Sequence, residues 1–249
     1  MAMLTLGGFS IQSPQMLLVA ALGGMLPSIL WLFFWLREIR GNRQPAILLI
    51  TTFIAGMLSV IIVLPIQKVI GLLPESTVFL TTMWAAAEEI MKCLAFAVIM
   101  ARSPHLDRPV EYPIYFMTAA LGFAALENTL FLLHPISTDN TTLALLTGNM
   151  RFLGSTLLHA VASGMVGIGV GLAFFKRSGA KAVYGTIGLI VAIVLHTMFN
   201  IFIAEDSGRN FFQVFGVLWV IAIIVMLLFE RLRRMGKYVV TPSTPSTMQ

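Results

Sequence analysis

The chain has 249 residues, 58% of them hydrophobic and only 11% charged, with a mean hydropathy of +0.90. A soluble domain carries about 25% charge, so the composition excludes a water-exposed globular surface, a coiled coil, a disordered protein and a nucleic-acid-binding module. The net charge of +5 comes from bases in short loops, where cytoplasmic anchors of membrane proteins sit, and the single Cys93 excludes an intrachain disulfide framework and a Cys-based zinc site.

Apolar stretches near the roughly 20 residues of a spanning helix predict helices at 16–36, 46–64, 78–100, 113–133, 152–175, 183–203 and 211–229. The expected fold is all-α, a polytopic membrane bundle of about seven transmembrane helices. Residues 1–15 would form an extracytoplasmic segment; they lack a basic n-region and a cleavage site, so no removable signal peptide is expected. A transmembrane domain then spans 16–230, with helices 3–6 at about 78–203 carrying the chemistry, and 231–249 forms a basic then disordered cytoplasmic tail. No internal repeat is evident.

Loop charges orient the bundle. Arg37, Arg40, Arg43, Arg102, Arg108, Lys176, Arg177, Lys181, Arg231, Arg233, Arg234 and Lys237 fall on one side, against Lys68, Arg151 and Arg209 on the other. The positive-inside rule places the amino terminus outside and the carboxyl terminus in the cytoplasm.

Against this apolar background a few polar residues stand out. Helix 3 carries Glu88, Glu89 and Lys92; helix 4, Glu127 and Asn128; helix 5, His159 and Ser163; helix 6, His196 and Asn200. A charged group at the bilayer centre costs about 2.5–3.5 kcal/mol on insertion scales, and such groups usually face the bundle interior. The structural reading of each is simple: Lys92 can pair with Glu88 or Glu89 along one helix, and a lone His or Asn is often interhelical glue. The set, however, shares a depth. Counted from the outer ends, Glu88, Glu89, Glu127, His159 and His196 lie roughly 10–16 Å into the membrane at 1.5 Å per residue, so four helices bring carboxylates and imidazoles to one layer.

Two imidazoles and a carboxylate are the ligand types of a catalytic zinc site with a position open for water. An adjacent carboxylate is the natural base for that water. Two neighbouring acids in low dielectric do not both ionise easily, and the Glu88–Glu89 doublet fits the base role. Asn200, one turn beyond His196, is placed to donate a hydrogen bond to a developing oxyanion.

In order, Glu88-Glu89-x-x-Lys92, Phe123-x-x-x-Glu127-Asn128, His159-x-x-x-Ser163 and His196-x-x-x-Asn200 resemble the PrsW family of intramembrane proteases, relatives of the CAAX-processing endopeptidases. Arg151 and the Leu195-His-Thr-Met-Phe-Asn run also look like that family, and the resemblance covers about Trp84 to Phe202. It implies an all-helical intramembrane endopeptidase in a cell membrane, of the bacterial inner membrane, whose best-known relatives make the first cut in membrane-anchored anti-sigma factors. By position it implies Glu88 as the water-activating base beside Glu89, Lys92 and Asn200. Glu127, His159 and His196 would be ligands of a divalent metal, Zn2+ first, with Asn128 and Ser163 in support. A metal-free glutamate-and-histidine mechanism is compatible with the same residues. One departure is Phe131, where the family pattern leads one to expect Tyr.

The partners implied are the lipid bilayer and a single-span membrane protein substrate, with no nucleic acid. Alternatives are a non-proteolytic metal-ion or proton transporter, a CAAX-type prenyl peptidase and a scaffold without turnover. The CAAX pattern usually has His at the position of Glu127 and sets its basic residue one position later. Gly164, Gly167, Gly169 and Gly171 on helix 5 suit close helix packing or, as the less favoured reading, substrate access. Hydrolysis demands water, so a polar cavity opening from helices 3–6 to the outer face is expected.

Overall fold

The computed structural model describes residues 14–38, 44–101, 106–137, 150–205 and 211–237. Among them the chain forms helices and no strand. We label the helices α1 (Pro14–Glu38), α2 (Ala46–Ile70), α3 (Thr77–Met100), α4 (Glu111–Ser137), α5 (a π-helical turn Arg151–Ser155 running into Thr156–Leu172), α6 (Ser178–Glu205) and α7 (Phe211–Lys237). Every expected helix is present. The predicted segment 1–15 falls almost wholly outside the described residues, as does the tail beyond Lys237.

Helix ends differ from the hydropathy reading for a physical reason. Hydropathy follows the hydrocarbon layer, while a helix continues as long as its backbone bonds are satisfied. Thus α2 passes through Pro65 to Ile70, α6 begins at Ser178, and α7 continues past 229 to Lys237. Its final turns carry Arg233 and Arg234, both paired with Glu230. The start of α3 is fixed by Ser76, whose side chain accepts from the Phe79 N–H at 3.3 Å, an N-cap bond. Among the described residues, six helices are long and apolar enough to span a membrane. The other, α3, has the length at 24 residues but carries Glu88, Glu89 and Lys92 within it.

Two helices form the centre. Most of α4 and α5 is buried (78% and 72%), against 17–28% for α1, α2, α6 and α7. α4 packs against α1, α2, α3 and α5, while α5 packs against α4, α6 and α7. Their shared core includes Ile114, Met117, Leu121, Leu157 and Val161, closed on the other side by Phe229.

The central crossings are backbone contacts. A Cβ at Gly122 would overlap the Phe53 backbone, and one at Gly56 the Ala119 backbone, so α2 and α4 approach through reciprocal glycines. On α5, Gly167 lies against Pro113, Gly169 against Tyr184, Gly171 against Pro109 and Gly164 against Met117. The helix 5 glycines are therefore packing positions, as small residues between membrane helices generally are.

This geometry makes a contrast within one residue type. Gly122→Leu should lower the thermal unfolding midpoint in detergent, at the upper end of the roughly 1–3 kcal/mol of ordinary overpacking, because the obstruction is backbone. Gly216→Ala, with nothing within 4 Å of its added Cβ, should be neutral or stabilise by up to about 1 kcal/mol. Equal effects of the two would contradict the packing.

Candidate active site

Helical spacing places Lys92 one turn beyond the adjacent Glu88 and Glu89 on α3, and all three are buried. Lys92 Nζ lies 2.7 Å from Glu89 Oε1 and 3.8 Å from Glu88 Oε2. It also reaches across the bundle to His159 Nδ1 at 2.7 Å and sits 4.5 Å from the Phe123 ring centre. With 0% of its side chain exposed, the ammonium has exchanged water for two close polar contacts and an aromatic face.

Glu89 is fully engaged. Its Oε1 also faces His196 Nδ1 at 2.8 Å, and its Oε2 accepts from Ser163 Oγ at 2.7 Å. Glu88 is half engaged. Its Oε1 accepts from Gln67 Nε2 at 2.8 Å, while its buried Oε2 has no hydrogen-bond partner and lies 3.6 Å from His196 Nε2. The neighbouring carboxylates thus have different environments: one is held by a cation, a hydroxyl and an imidazole, the other keeps an oxygen bare.

On the far side, the π-helical turn brings Arg151 over α4. Its guanidinium bonds Glu127 Oε2 and Asn128 Oδ1, and stacks 3.8 Å from the Phe131 ring centre. Asn128 Nδ2 donates to Thr156 Oγ1 at 2.8 Å, and that hydroxyl donates to the Arg151 carbonyl at 2.8 Å. Glu127 Oε2 also lies 3.0 Å from His159 Nε2.

The two imidazoles stand at 86° with centres 5.0 Å apart. Glu88, His159 and His196 each offer a ligand atom within 4.8 Å of the others. The structure therefore brings Glu88, Glu89, Lys92, Glu127, Asn128, His159, Ser163 and His196 into one network. Asn200 differs: its buried Nδ2 has no hydrogen-bond partner. The network is closed, with Glu88, His159 and His196 only 1–2% exposed. A cavity of about 410 Å³ lies between α5, α6 and α7, but it is apolar except for Gln213 and is not the polar opening expected over helices 3–6.

The sequence reading missed Gln67, Trp84 and Thr156, and gave Arg151 no partner. Gln67 lies beyond the predicted end of helix 2 at 64, where a glutamine reads as a loop residue. The signal available was the apolar spacing of Ile66, Val69 and Ile70 beyond Pro65.

Removing one partner from a buried ion pair costs about 3–5 kcal/mol, since it leaves the other charge uncompensated. Lys92→Met keeps the apolar stem and removes the ammonium, so it should sharply lower the unfolding midpoint or folded yield. Arg234→Ala, at a position whose side chain is 72% exposed, should change neither. A Lys92→Met protein as stable as the parent would show that the network does not organise the bundle.

The model of the PrsW family intramembrane metalloproteases matches residues 44–229, about three quarters of the chain. The protease PrsW of Shouchella clausii is 24% identical over 223 residues, covering 88% of this chain and 98% of its own. That of Bacillus subtilis is 23% identical over 197 residues, 76% of this chain and 85% of its own. That of Clostridioides difficile is 28% identical over 219 residues, 82% and 85% respectively. No solved structure matches the chain. An all-helical membrane bundle with a buried carboxylate and imidazole cluster, matched by this family over most of its length, belongs to the PrsW family of intramembrane metalloproteases.

Proposed function

We propose that this multi-pass intramembrane protease hydrolyses a peptide bond near the extracytoplasmic end of a single-span membrane protein, with Glu88 as the base. A membrane-anchored anti-sigma factor is the substrate class we favour, and a bacterial inner membrane the location, its relatives being bacterial. One observation carries the reading: a buried carboxylate oxygen, Glu88 Oε2, is left without a hydrogen-bond partner beside His196 Nε2. A buried acceptor without a hydrogen bond is costly unless something uses it.

The donor set fits a divalent metal, with Zn2+ the first choice for nitrogen and oxygen ligands. His196 gives Nδ1 to Glu89 and keeps Nε2 for the cluster, the orientation that a carboxylate imposes on a ligating histidine. His159 gives Nδ1 to Lys92 and turns Nε2 toward Glu127. We assign the metal to His159, His196 and Glu127. When bound, it supplies Lewis-acid polarisation of the carbonyl and favours ionisation of water.

The chain's own residues do the rest. Glu88 Oε2 takes a proton from water as the water oxygen bonds to the carbonyl carbon. Asn200 Nδ2, unpaired in its buried position, donates to the carbonyl oxygen as charge develops. The proton on Glu88 passes to the leaving nitrogen as the C–N bond breaks. Lys92 and Glu89 hold the two imidazoles throughout. Since a helical backbone has no free carbonyl to offer, the substrate segment reaches this closed site unwound.

A second reading has its own observation: the grouping of Glu88, His159 and His196 within 4.8 Å suits Glu88 as a direct ligand. Metal content separates the two. Protein purified in mild detergent without chelator should hold about one Zn2+ per chain, and His159→Ala/His196→Ala should lose it. Glu88→Gln should keep the metal and lose cleavage of single-span substrates. Loss of metal in Glu88→Gln would make Glu88 a ligand. Cleavage by Glu88→Gln would end the base assignment, and an active, folded, metal-free parent would end the metal assignment.

A further inference from the structure

We propose that Gln67 of α2 is a positioning residue that fixes Glu88 for catalysis; the inference rests on Glu88 being the base. Helix α2 carries none of the four motifs, yet it supplies the hydrogen-bond donor that Glu88 has. Gln67 is itself pinned to α3 at both ends. Its side-chain amide donates to Glu88 Oε1 at 2.8 Å, and its backbone carbonyl accepts from the Trp84 indole N–H at 3.0 Å. Trp84 and Glu88 are four residues apart, so both contacts come from one face of α3. Two residues before Gln67, Pro65 removes the bond to the Ile61 carbonyl. The last turn of α2 is therefore held by α3 as much as by its own helix.

The reason such a clamp is needed is Lys92. Its Nζ is already paired with Glu88 Oε2 at 3.8 Å, and a small side-chain rotation would tighten that pair to a hydrogen bond. Lys92 would then withdraw the bare oxygen from His196. Donation to Oε1 holds the carboxylate plane from the other side, so that Oε2 stays 3.6 Å from His196 Nε2. Lys92 meanwhile remains with Glu89 and His159. Gln67 thus decides which carboxylate oxygen accepts the proton, and it does so without touching the substrate.

The test uses the full chain in mild detergent. Gln67→Met matches the glutamine in length and volume but has no donor. The carboxyl infrared band of Glu88 is identified as the one lost in Glu88→Gln. Gln67→Met should shift that band, while Gln213→Met, a change on α7, should not. On a single-span fusion protein with a fluorescent extracytoplasmic reporter, kcat should fall about 10–100-fold, the range typical of lost supporting hydrogen bonds. KM and the unfolding midpoint should stay near the parent values. If Gln67→Met does not fold, Trp84→Phe, which removes the indole donor along with part of the ring, should shift the same band. An unmoved band, or an unchanged kcat while Glu88→Gln is inactive, overturns the role of Gln67. Activity in Glu88→Gln overturns instead the base assignment beneath it.

Discussion

An ammonium group with no water around it dictates most of this architecture. Lys92 lies on α3, in a layer where each unpaired charge costs about 2.5–3.5 kcal/mol. It is satisfied only because Glu89 and His159 Nδ1 each come within 2.7 Å and the Phe123 ring lies below it. These partners sit on α3, α5 and α4, so the helices must converge there for the lysine to be buried at all. Buried ion pairs roughly break even against apolar packing. What this one supplies is geometry: Glu89, once held, orients His196 and Ser163, and so draws in α6.

The opposite edge is built on the π-helical turn. Its defining bond runs from the Thr156 N–H to the Arg151 carbonyl, and the Thr156 hydroxyl bonds the same oxygen. The widened turn carries Arg151 to Glu127 and Asn128 on α4 while α5 continues regularly to His159. Single π turns within α-helices recur at functional sites for this reason. The backbone contact of Gly167 with Pro113 holds α5 against α4 two turns further on, so register at the site is set from both sides.

Much of this was legible in the sequence, and the reason is contrast. In helices this apolar, Glu88, Glu127, His159 and His196 stand out, and loop charges placed them at one depth. Helix existence was equally clear, α3 included, whose apolar stretch stands out despite its three charges. Two kinds of information were not legible. Helix ends were missed at Ile70 and Lys237, because the hydropathy signal stops at the hydrocarbon boundary while the helix does not. Partner choice was also missed. Spacing allowed Lys92 to pair with Glu88 or Glu89, and only the packed bundle shows that it bonds Glu89, leaving Glu88 to Gln67 from a helix with no motif.

Phe131, where tyrosine was the expectation, fits the same logic of satisfied charges. A tyrosine there would bring a hydroxyl beside a guanidinium that already donates to Glu127 and Asn128. Phenylalanine brings only the face of its ring, 3.8 Å from the Arg151 carbon. A desolvated cation gains about 2 kcal/mol from such a face, without adding a polar atom that needs a partner of its own. Arg151 is thereby confined between an aromatic ring and two oxygens, with 15% of its side chain exposed. The ring and the two oxygens hold Arg151 on Glu127, and Glu127 in turn lies 3.0 Å from His159 Nε2. The position of that carboxylate is set by a salt bridge on one side and an imidazole on the other. A ring without a hydroxyl is sufficient to hold the arrangement.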